Sequence, residues 1–390
     1  MPRLIYLDHN ATSPPWPEVI EVVARTLQQG FANPASQHAA GRKARQALED
    51  AREEIAARLG APAKGPRPDR VVFTSGATEA NNLAIFGLTG AVAGTPPGRI
   101  VTTAVEHPSV REAVQSLRTR GWRVDWAPVD ETGRVDLDAF DALLAKPTSL
   151  ASVIYASHET GVVQPIAELA RIAAARGAPL HTDATQAAGK VALDFHSLGV
   201  AAMTVGSHKF QGPVGVGALV LRGEIDAAPL LFGGFQQASL RPGTESVSAV
   251  LGMLAALRIW DERRDALTSH LLDVRETLVE RVRAARPEVL VNGEAAPRLP
   301  QVANLAFPGL DRQALLMALD LSGVCCSTGS ACASGSSEPS PTLLAMKLPP
   351  EVIRSSLRFS VGPTTTREEA IEAAERIAAC CERLSPRPVV

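Results

Sequence analysis

One thiol stands out among the residues of this chain that could do chemistry. Residues 327–337 read STGSACASGSS, without a charge or a large apolar side chain, and Cys332 is the one reactive group among them. A structural cysteine usually lies among apolar neighbours, whereas this pattern is typical of a mobile, solvated loop that could carry its sulfur to a partner. The alternative is an ordinary flexible linker that contains a cysteine.

A second candidate is Lys209, in the run SHKFQGPVGVGALVL. It follows a strand of small residues and precedes a glycine-rich return, so we expect it to leave the sheet edge and point into a crevice. Burial lowers the pKa of a lysine ammonium, and the free amine can then form a Schiff base with a carbonyl. The alternative is a surface lysine that follows a strand.

The turn at 74–79, TSGATE, is a candidate anion site. Its backbone N–H groups and the Thr78 hydroxyl lie where a helix begins behind a buried strand, and such helix N-termini bind phosphate. The pattern is neither GxGxxG nor GxxxxGK[ST], so the turn lacks the motifs that are typical of dinucleotide and nucleoside triphosphate binding. The alternative is a simple capped helix.

Asp183 ends the predicted strand PLHTDA, with His181 and Gln186 close to it in sequence. An aspartate at this edge could pair with a protonated pyridine nitrogen. An amine-donating lysine, a phosphate site and an acid that faces a pyridinium are together what pyridoxal phosphate requires. The alternative is that Asp183 caps the next helix.

Two histidines and an arginine complete the candidates. His107, before a proline, and His158 each follow a strand, where a ring could lie flat on a planar cofactor or move protons, although such histidines are often structural. Arg358 lies in an otherwise apolar strand and could bind a substrate carboxylate or form a buried ion pair. No metal site is expected, because His107, His158, His181 and Cys332 lack the short spacing of zinc ligands.

The elements that position these residues alternate between strand and helix. Strand-like runs cover 71–76, 99–104, 123–129, 151–157, 179–184, 201–207 and 215–221, and helix-length segments separate most of them. This order predicts a mostly parallel sheet covered by helices on both faces. An amphipathic helix is predicted over 36–60. A long helix over 245–286 leads to a second domain, in which LPQVANLAFPG and SSLRFSVG are predicted strands.

Composition excludes several classes of partner. Across 390 residues, 39 Lys and Arg balance 41 Asp and Glu without runs, which indicates neither nucleic-acid nor membrane binding and favours a small substrate. The five cysteines form a poor disulfide framework, so reduced thiols in the cytoplasm fit best. The N-terminus has no apolar signal region, and no run approaches the ~20 apolar residues of a membrane span.

Seven motifs together resemble one family, the cysteine desulfurases of the class V aminotransferase fold. In chain order they are FTSGATEANNLAI, EHPSV, HETGVVQP, HTDATQAAGK, SHKFQGPVGVGAL, RPGTESV and GSACASGSSEPS. The similarity extends from LDHNATSP to RFSVGPTTTREE, and the spacing around Cys332 resembles the long-loop group similar to NifS and IscS. The resemblance implies an α/β fold of type I among pyridoxal phosphate enzymes, with a mostly parallel, seven-stranded sheet in a large domain at 15–255. A smaller α+β domain would comprise 1–14 and 256–390.

The resemblance also implies an activity. The enzyme would convert L-cysteine to L-alanine and leave a persulfide on Cys332 for a sulfur-acceptor protein, an iron–sulfur scaffold or a thiolation relay. Lys209 would hold pyridoxal phosphate covalently, Asp183 would keep its pyridine nitrogen protonated, and His107 would stack on the ring and move protons. The alternative activity is that of another class V aminotransferase or of a selenocysteine lyase-like enzyme.

Further residue roles follow from the same resemblance. Cofactor contacts would come from Ala77, Thr78, His107, His158, Asp183, Gln186, Ser207, His208, Lys209 and Thr244, and substrate contacts from Asn33, His158 and Arg358. Thr244 would reach the phosphate of the neighbouring subunit, which implies a homodimer. The chain departs from the family where Gly206 replaces a serine, where His158 replaces an asparagine, and in the run GGFQQASLRPGT.

Overall fold

The computed structural model describes residues 3–61, 66–329 and 338–385, and Cys332 lies outside the described residues. The strands of the described residues are β1 (Ile5–Tyr6), β2 (Arg70–Thr74), β3 (Arg99–Thr103), β4 (Arg123–Ala127), β5 (Leu150–Ser152), β6 (Leu180–Asp183), β7 (Ala202–Gly206), β8 (Gly217–Leu221), β9 (Leu290–Val291), β10 (Val302–Ala306), β11 (Val324–Cys325) and β12 (Ser356–Ser360).

The α-helices of the described residues are α1 (Pro17–Gln28), α2 (Ala39–Arg58), α3 (Ala77–Thr89), α4 (Pro108–Thr119), α5 (Leu137–Leu144), α6 (Ile166–Ala175), α7 (Phe195–Leu198), α8 (Val247–Ala285), α9 (Arg312–Leu321), α10 (Pro341–Ala345), α11 (Pro350–Arg354) and α12 (Arg367–Leu384). Short 3₁₀ turns cover Ala91–Ala93, Ser207–Phe210 and Gln236–Ser239.

A seven-stranded sheet forms the centre of the molecule, in the order β2-β8-β7-β6-β5-β3-β4. Only β8 runs antiparallel to its neighbours, β2 and β7, and the remaining pairs are parallel. Residues of β3, β6, β7 and β8 are buried throughout, as expected for a sheet with helices on both faces. The predicted α/β class with a mostly parallel sheet is confirmed.

Helix α8 is the longest element, at 39 residues or about 58 Å. It packs against α1 and α2 at one end and against α12 at the other. Ser246 caps its N-terminus by accepting the backbone N–H of Ala249 at 3.4 Å. The helix passes without a break through the predicted domain boundary at 255/256, and that boundary stays a prediction.

The rest of the chain forms two small sheets, one of which joins its beginning to its later part. In one, β10 pairs antiparallel with β12 and β9, and in the other β1 pairs parallel with β11. Asp8 forms a parallel bridge to Ser360. The segment after β1 is thereby carried towards the carboxyl ends of the central strands.

The cysteines of the described residues fall into two environments. Cys380 and Cys381 are buried in the core on α12, and Cys325 and Cys326 are half-buried. Burial raises the pKa of the Cys326 and Cys325 thiols, which disfavours the reactive thiolate. Among helices in the described part of the chain, none is long and apolar enough to cross a membrane.

Candidate active site

The carboxyl ends of the parallel strands surround a cavity of about 380 Å³. His107 follows β3, His158 lies beyond β5, Asp183 ends β6 and Lys209 follows β7, and all four line this cavity. Open α/β sheets bind ligands at this edge, because loops there are free to vary while the strands hold their ends in place. The structure thus brings together four residues separated by as many as 102 positions in the sequence.

The amine of Lys209 is held by the N-terminal segment. Its Nζ donates to the carbonyl oxygens of Asn10 at 2.6 Å and Ala11 at 2.7 Å. Lys209 lies in the turn Ser207–Phe210, and a second lysine, Lys190, donates from its own Nζ to the Lys209 carbonyl oxygen at 2.8 Å. Burial, reinforced by the charge of Lys209, lowers the pKa of Lys190 to about 7. The orientation of Lys209 therefore depends on contacts at both its side chain and its backbone.

The Asp183 carboxylate is fixed on both oxygens. Asn81 on α3 donates from Nδ2 to Oδ2 at 2.8 Å, and the backbone N–H of Thr185 donates to Oδ1 at 2.9 Å. Behind Asp183, the ring of His181 lies between the hydroxyls of Ser152 and Thr204 at 2.9 and 3.0 Å. These contacts place a buried carboxylate in the cavity wall, where it can pair with a cationic ring nitrogen.

The turn between β2 and α3 forms another part of the wall, with Ser75, Gly76, Ala77, Thr78 and Glu79 all lining the cavity. A carboxylate beside a predicted anion site is unexpected, yet Arg241 donates to Glu79 at 2.8 and 3.2 Å and the Ser75 N–H donates to it at 2.7 Å. Burial acts to raise the pKa of Glu79, but these donors outweigh it and the pKa is lowered. The charge of Glu79 is thus compensated from outside the cavity.

Two histidine rings in the cavity wall contact each other. Nδ1 of His107 caps α4 by accepting the Ser109 N–H at 3.1 Å, which leaves the proton of the neutral ring on Nε2. The His158 ring meets the His107 ring edge-on, with centroids 5.2 Å apart. Burial lowers the pKa of both rings; nearby Lys209 and Arg358 lower them further, while Asp183 opposes the shift at His107. Both imidazoles are neutral at neutral pH and can accept protons.

Arg358 on β12 forms a buried ion pair and also lines the cavity. One terminal nitrogen donates to Asp8 at 2.6 Å and the other to the His158 carbonyl oxygen at 3.1 Å, with the side chain 1% exposed. The ion-pair alternative from the sequence is therefore present. The predicted role in binding a substrate carboxylate stays a prediction.

The structure does not bring every predicted residue to the cavity. Ser207 is buried outside its wall with its hydroxyl turned towards Gly212, whereas a Cβ on Gly206 would lie 3.1 Å from Ala77 and Thr185 side chains. Consecutive strand residues point to opposite faces, and position 206 is the one that faces the turn. The expected phosphate contact of Ser207 stays a prediction.

Two further predicted residues lie away from the cavity within this one chain. Asn33 is exposed and accepts the Ala35 N–H at 2.9 Å, and Thr244 is exposed on the loop before α8. Thr244 was expected to act on a neighbouring subunit, so its position is compatible with that prediction. Cys332 lies outside the described residues. The other predicted residues, Ala77, Thr78, Gln186 and His208, line the cavity.

Sequence reasoning missed several contributors. Asn10 contributes through its carbonyl oxygen, which accepts from Lys209 and from Gln186 at 2.9 Å, and a backbone role leaves no pattern of side chains. Asn81, in contrast, could have been identified from its position in the sequence. It lies one helical turn after Ala77–Thr78 on the face of α3 towards the sheet, and is fully buried. A buried amide needs polar partners, which pointed to the carboxylate edge of the sheet.

Several buried polar atoms in the cavity wall lack hydrogen-bond partners among the described residues. They are Nδ1 of His158, Oγ1 of Thr185, Oε1 of Gln186 and Nε of Arg358. Such atoms are costly unless a ligand or water pairs with them. Together with the amine, the carboxylate and the anion turn, they fit a ligand with a carbonyl, a basic ring nitrogen, a ring hydroxyl and a phosphate. That set of groups is the one in pyridoxal phosphate.

Comparisons with known proteins identify the family. The family model described as Aminotransferase class-V matches residues 5–372 of this chain. The chain is 42% identical over 378 residues to the IscS-like cysteine desulfurase of Mycobacterium tuberculosis, covering 95% of each. It is 39% identical over 389 residues to cysteine desulfurase IscS of Dictyoglomus turgidum, covering 99% of this chain and 97% of that protein. This chain belongs to the cysteine desulfurase family of class V aminotransferases.

Solved structures of the family agree. The NifS-like protein from Rickettsia africae superposes with a TM-score of 0.86 at 31% identity, covering 98% of this chain and 99% of that one. Another NifS-like protein gives a TM-score of 0.89 at 28% identity, covering 98% and 100%. The resemblance read from the seven motifs is confirmed, and so is the type I fold of the family.

Proposed function

We propose that this protein is a pyridoxal phosphate-dependent cysteine desulfurase. The observation that carries the proposal is the convergence of Lys209, Asp183 and the turn at 75–79 on one cavity with unpartnered polar atoms in its wall. Full-length relatives with that activity in their names support the same reaction. The competing transaminase or selenocysteine lyase-like activity has no observation in its favour.

The cofactor would be held by residues already placed around the cavity. Lys209 would offer the amine, Asp183 would pair with the ring nitrogen, and Gln186 has an Oε1 without a hydrogen-bond partner among the described residues. The Ala77–Thr78 turn at the start of α3 and His208 would bind the phosphate, since helix N-termini favour anions. Bound pyridoxal phosphate supplies an electron sink for the amino acid substrate.

Protons would be moved by the two histidines. Because burial lowers the pKa of His107 and His158, each ring is available as a base at neutral pH. His107 is held in one orientation by the Ser109 N–H, so its Nε2 edge is the one that exchanges protons in the cavity. Arg358, with Nε unpartnered among described atoms, would bind the substrate carboxylate beside His158.

The sulfur would be received by Cys332. Its thiolate attacks the sulfur of L-cysteine, and the substrate's carbon–sulfur bond breaks as the sulfur–sulfur bond forms. Cys332 and L-cysteine thus give a persulfide and L-alanine, and the proton from the Cys332 thiol ends on the alanine carbon. The persulfide sulfur would then pass to an acceptor protein for iron–sulfur cluster assembly or another thiolation.

Assembly and location belong to the same proposal. Thr244 lies exposed on the loop before α8, and in a homodimer it would complete the phosphate site of the second subunit. The balanced charge and the reduced cysteines support a cytoplasmic enzyme.

The decisive experiment replaces Cys332 by Ser and supplies L-cysteine to the cofactor-loaded protein. We expect loss of persulfide and at least a hundredfold slower alanine formation, while the cofactor absorbance remains. Lys209→Ala should abolish covalent attachment of the cofactor. Lys146→Ala serves as the control, because Lys146 is exposed on the loop between α5 and β5. Unchanged alanine production by Cys332→Ser would exclude the desulfurase and favour another class V reaction.

A further inference from the structure

A buried carboxylate next to the cavity has no role in the chemistry described above. Glu159 follows His158, is 2% exposed and is not part of the cavity wall. Its Oε1 lies 3.9 Å from Nε2 of His158, its backbone N–H donates to the Ser157 hydroxyl at 3.2 Å, and its carbonyl oxygen accepts from Asn304 at 3.3 Å. Glu159 is thus fixed in place next to His158 and outside the cavity wall.

The carboxylate of Glu159 contacts the chain after residues 330–337. The Ser340 hydroxyl donates to Oε2 at 2.6 Å and also accepts the Leu343 N–H at 3.2 Å, as the cap of α10. Burial raises the pKa of Glu159, and the Ser340 and Thr342 hydroxyls act against that shift. One hydroxyl therefore ties the start of α10 to Glu159.

The same oxygen also lies close to the chain before residues 330–337. A Cβ added to Gly329 would lie 2.9 Å from Oε2 of Glu159, so the glycine backbone comes directly against the carboxylate. Gly329 has φ +90°, in the region that favours glycine. Two residues earlier, Ser327 exchanges backbone hydrogen bonds with Arg358 at 2.7 and 3.1 Å, which anchors this end to a strand of the cavity wall.

From these contacts we propose that Glu159 is a positioning residue that holds both ends of segment 330–337 and so sets where Cys332 meets the substrate. The inference rests on the proposed function, since it assigns a role to the segment that carries Cys332. One carboxylate oxygen accepts a hydrogen bond from Ser340 and lies close to Gly329, so the described residues at both ends of the segment adjoin the same group. Because Glu159 is the neighbour of His158, it also fixes them relative to the cavity.

The test uses cofactor-loaded, full-length Glu159→Ala, Glu159→Gln and Ser340→Ala. Two quantities are measured: the single-turnover rate of persulfide formation on Cys332 by mass spectrometry, and the L-alanine concentration that half-saturates the change in cofactor absorbance. We expect Glu159→Ala and Ser340→Ala to form persulfide at least tenfold more slowly, with the half-saturating concentration within twofold of the parent. Glu159→Gln keeps an acceptor for Ser340 and should recover most of the rate.

Two controls make the result specific. Glu168→Ala, an exposed glutamate in the first turn of α6, should leave both quantities unchanged. The double variant Glu159→Ala/Ser340→Ala should be no slower than the slower single variant, because both remove one shared contact. If Glu159→Ala does not fold, Ser340→Ala and Glu159→Gln still carry the comparison.

The outcomes separate this inference from the function on which it rests. Parental persulfide rates in Glu159→Ala and Ser340→Ala, with none in Cys332→Ser, would overturn the positioning role and leave the desulfurase standing. An equal loss in persulfide rate and in L-alanine binding would overturn it too, because it would indicate general damage to the cavity. Alanine formation at the parental rate by Cys332→Ser would instead refute the function and the inference with it.

Discussion

Arg241 binds Glu79 through two hydrogen bonds, from Nε to Oε1 at 2.8 Å and from a terminal nitrogen to Oε2 at 3.2 Å. Glu79 lines the cavity beside the Ala77–Thr78 turn, whereas Arg241 lies on the loop that leads to α8. The pair therefore connects that loop to the proposed phosphate site. Without Arg241, an uncompensated carboxylate would face the phosphate.

We expect Arg241→Ala to weaken pyridoxal phosphate binding about tenfold or more, since a partly buried charge pair loses its cation. The dissociation constant is measured by titrating cofactor-free protein and following absorbance. Arg241→Ala combined with Glu79→Gln should recover much of the affinity, because the repulsive charge is removed as well. Equal affinity of Arg241→Ala and the parent would contradict this account of the pair.

Asn81→Ala tests the fixation of the Asp183 carboxylate. Loss of a hydrogen bond to a buried charge costs about 1.5–3 kcal/mol, so we expect cofactor affinity to fall roughly tenfold to a hundredfold. Asn81→Asp should be worse, because it places a second carboxylate against Asp183. Gln115→Ala, exposed on α4, is the control for the titration. A parental dissociation constant for Asn81→Ala would argue that the Thr185 N–H alone holds the acid.

The pKa of Lys190, about 7, predicts a pH dependence of stability. An unfolded lysine keeps its proton up to about pH 10.4, so between pH 7 and 10 the unfolded chain binds more protons than the folded protein. The contribution of Lys190 to the free energy of unfolding then rises with pH, by up to about 1.4 kcal/mol per pH unit. Lys190→Met should lack this rise, as measured by urea unfolding at several pH values.

The informative quantity is the free energy of unfolding of Lys190→Met minus that of the parent. This difference should fall steadily from pH 7 to pH 10. The stability of the variant relative to the parent is therefore greatest near pH 7. The same difference for Lys146→Met, an exposed lysine, should stay flat. A flat difference for Lys190→Met would mean that the folded protein keeps this ammonium charged.

Gln237 extends the edge of the central sheet with its side chain. Its Oε1 accepts the Phe73 N–H at 2.6 Å, and its Nε2 donates to the Phe73 carbonyl oxygen at 2.8 Å. We expect Gln237→Ala to lower the free energy of unfolding by about 2 kcal/mol, because it leaves backbone groups of edge strand β2 unpaired. The exposed Gln115→Ala on α4 should change it by less than about 0.5 kcal/mol in the same urea titration. Equal losses would contradict the specific role of Gln237.

Much of the fold could be predicted from the sequence because central strands of a parallel sheet are short apolar runs. All seven runs correspond to strands, although the one predicted at 151–157 ends as a regular strand at Ser152. Backbone hydrogen bonds from Val153 and Tyr155 to β6 continue beyond that point, so the apolar run follows the sheet without full strand pairing on both sides. A run of apolar residues indicates which residues are buried, whereas the end of a strand depends on backbone pairing with its neighbours.

The candidate site was predictable where a side chain ends a strand, as with Asp183 and Lys209. It was not predictable for the Asn10 and Ala11 carbonyls, whose contribution is independent of side-chain type. The choice between Gly206 and Ser207 as the residue facing the turn depends on strand register, which a short buried run of small residues does not fix.

The contact of Asp8 with Arg358 also has a consequence for biosynthesis. Asp8 pairs with a residue 350 positions later, and the next residues, Asn10 and Ala11, hold the amine of Lys209. While the ribosome is still making the middle of the chain, β1 lacks its partner β11, Asp8 lacks its partner on β12, and the crevice around Lys209 lacks one wall. Domains fold as their residues emerge, and distant contacts form last. The order of synthesis therefore delays completion of the proposed cofactor pocket until β11 and β12 have left the exit tunnel.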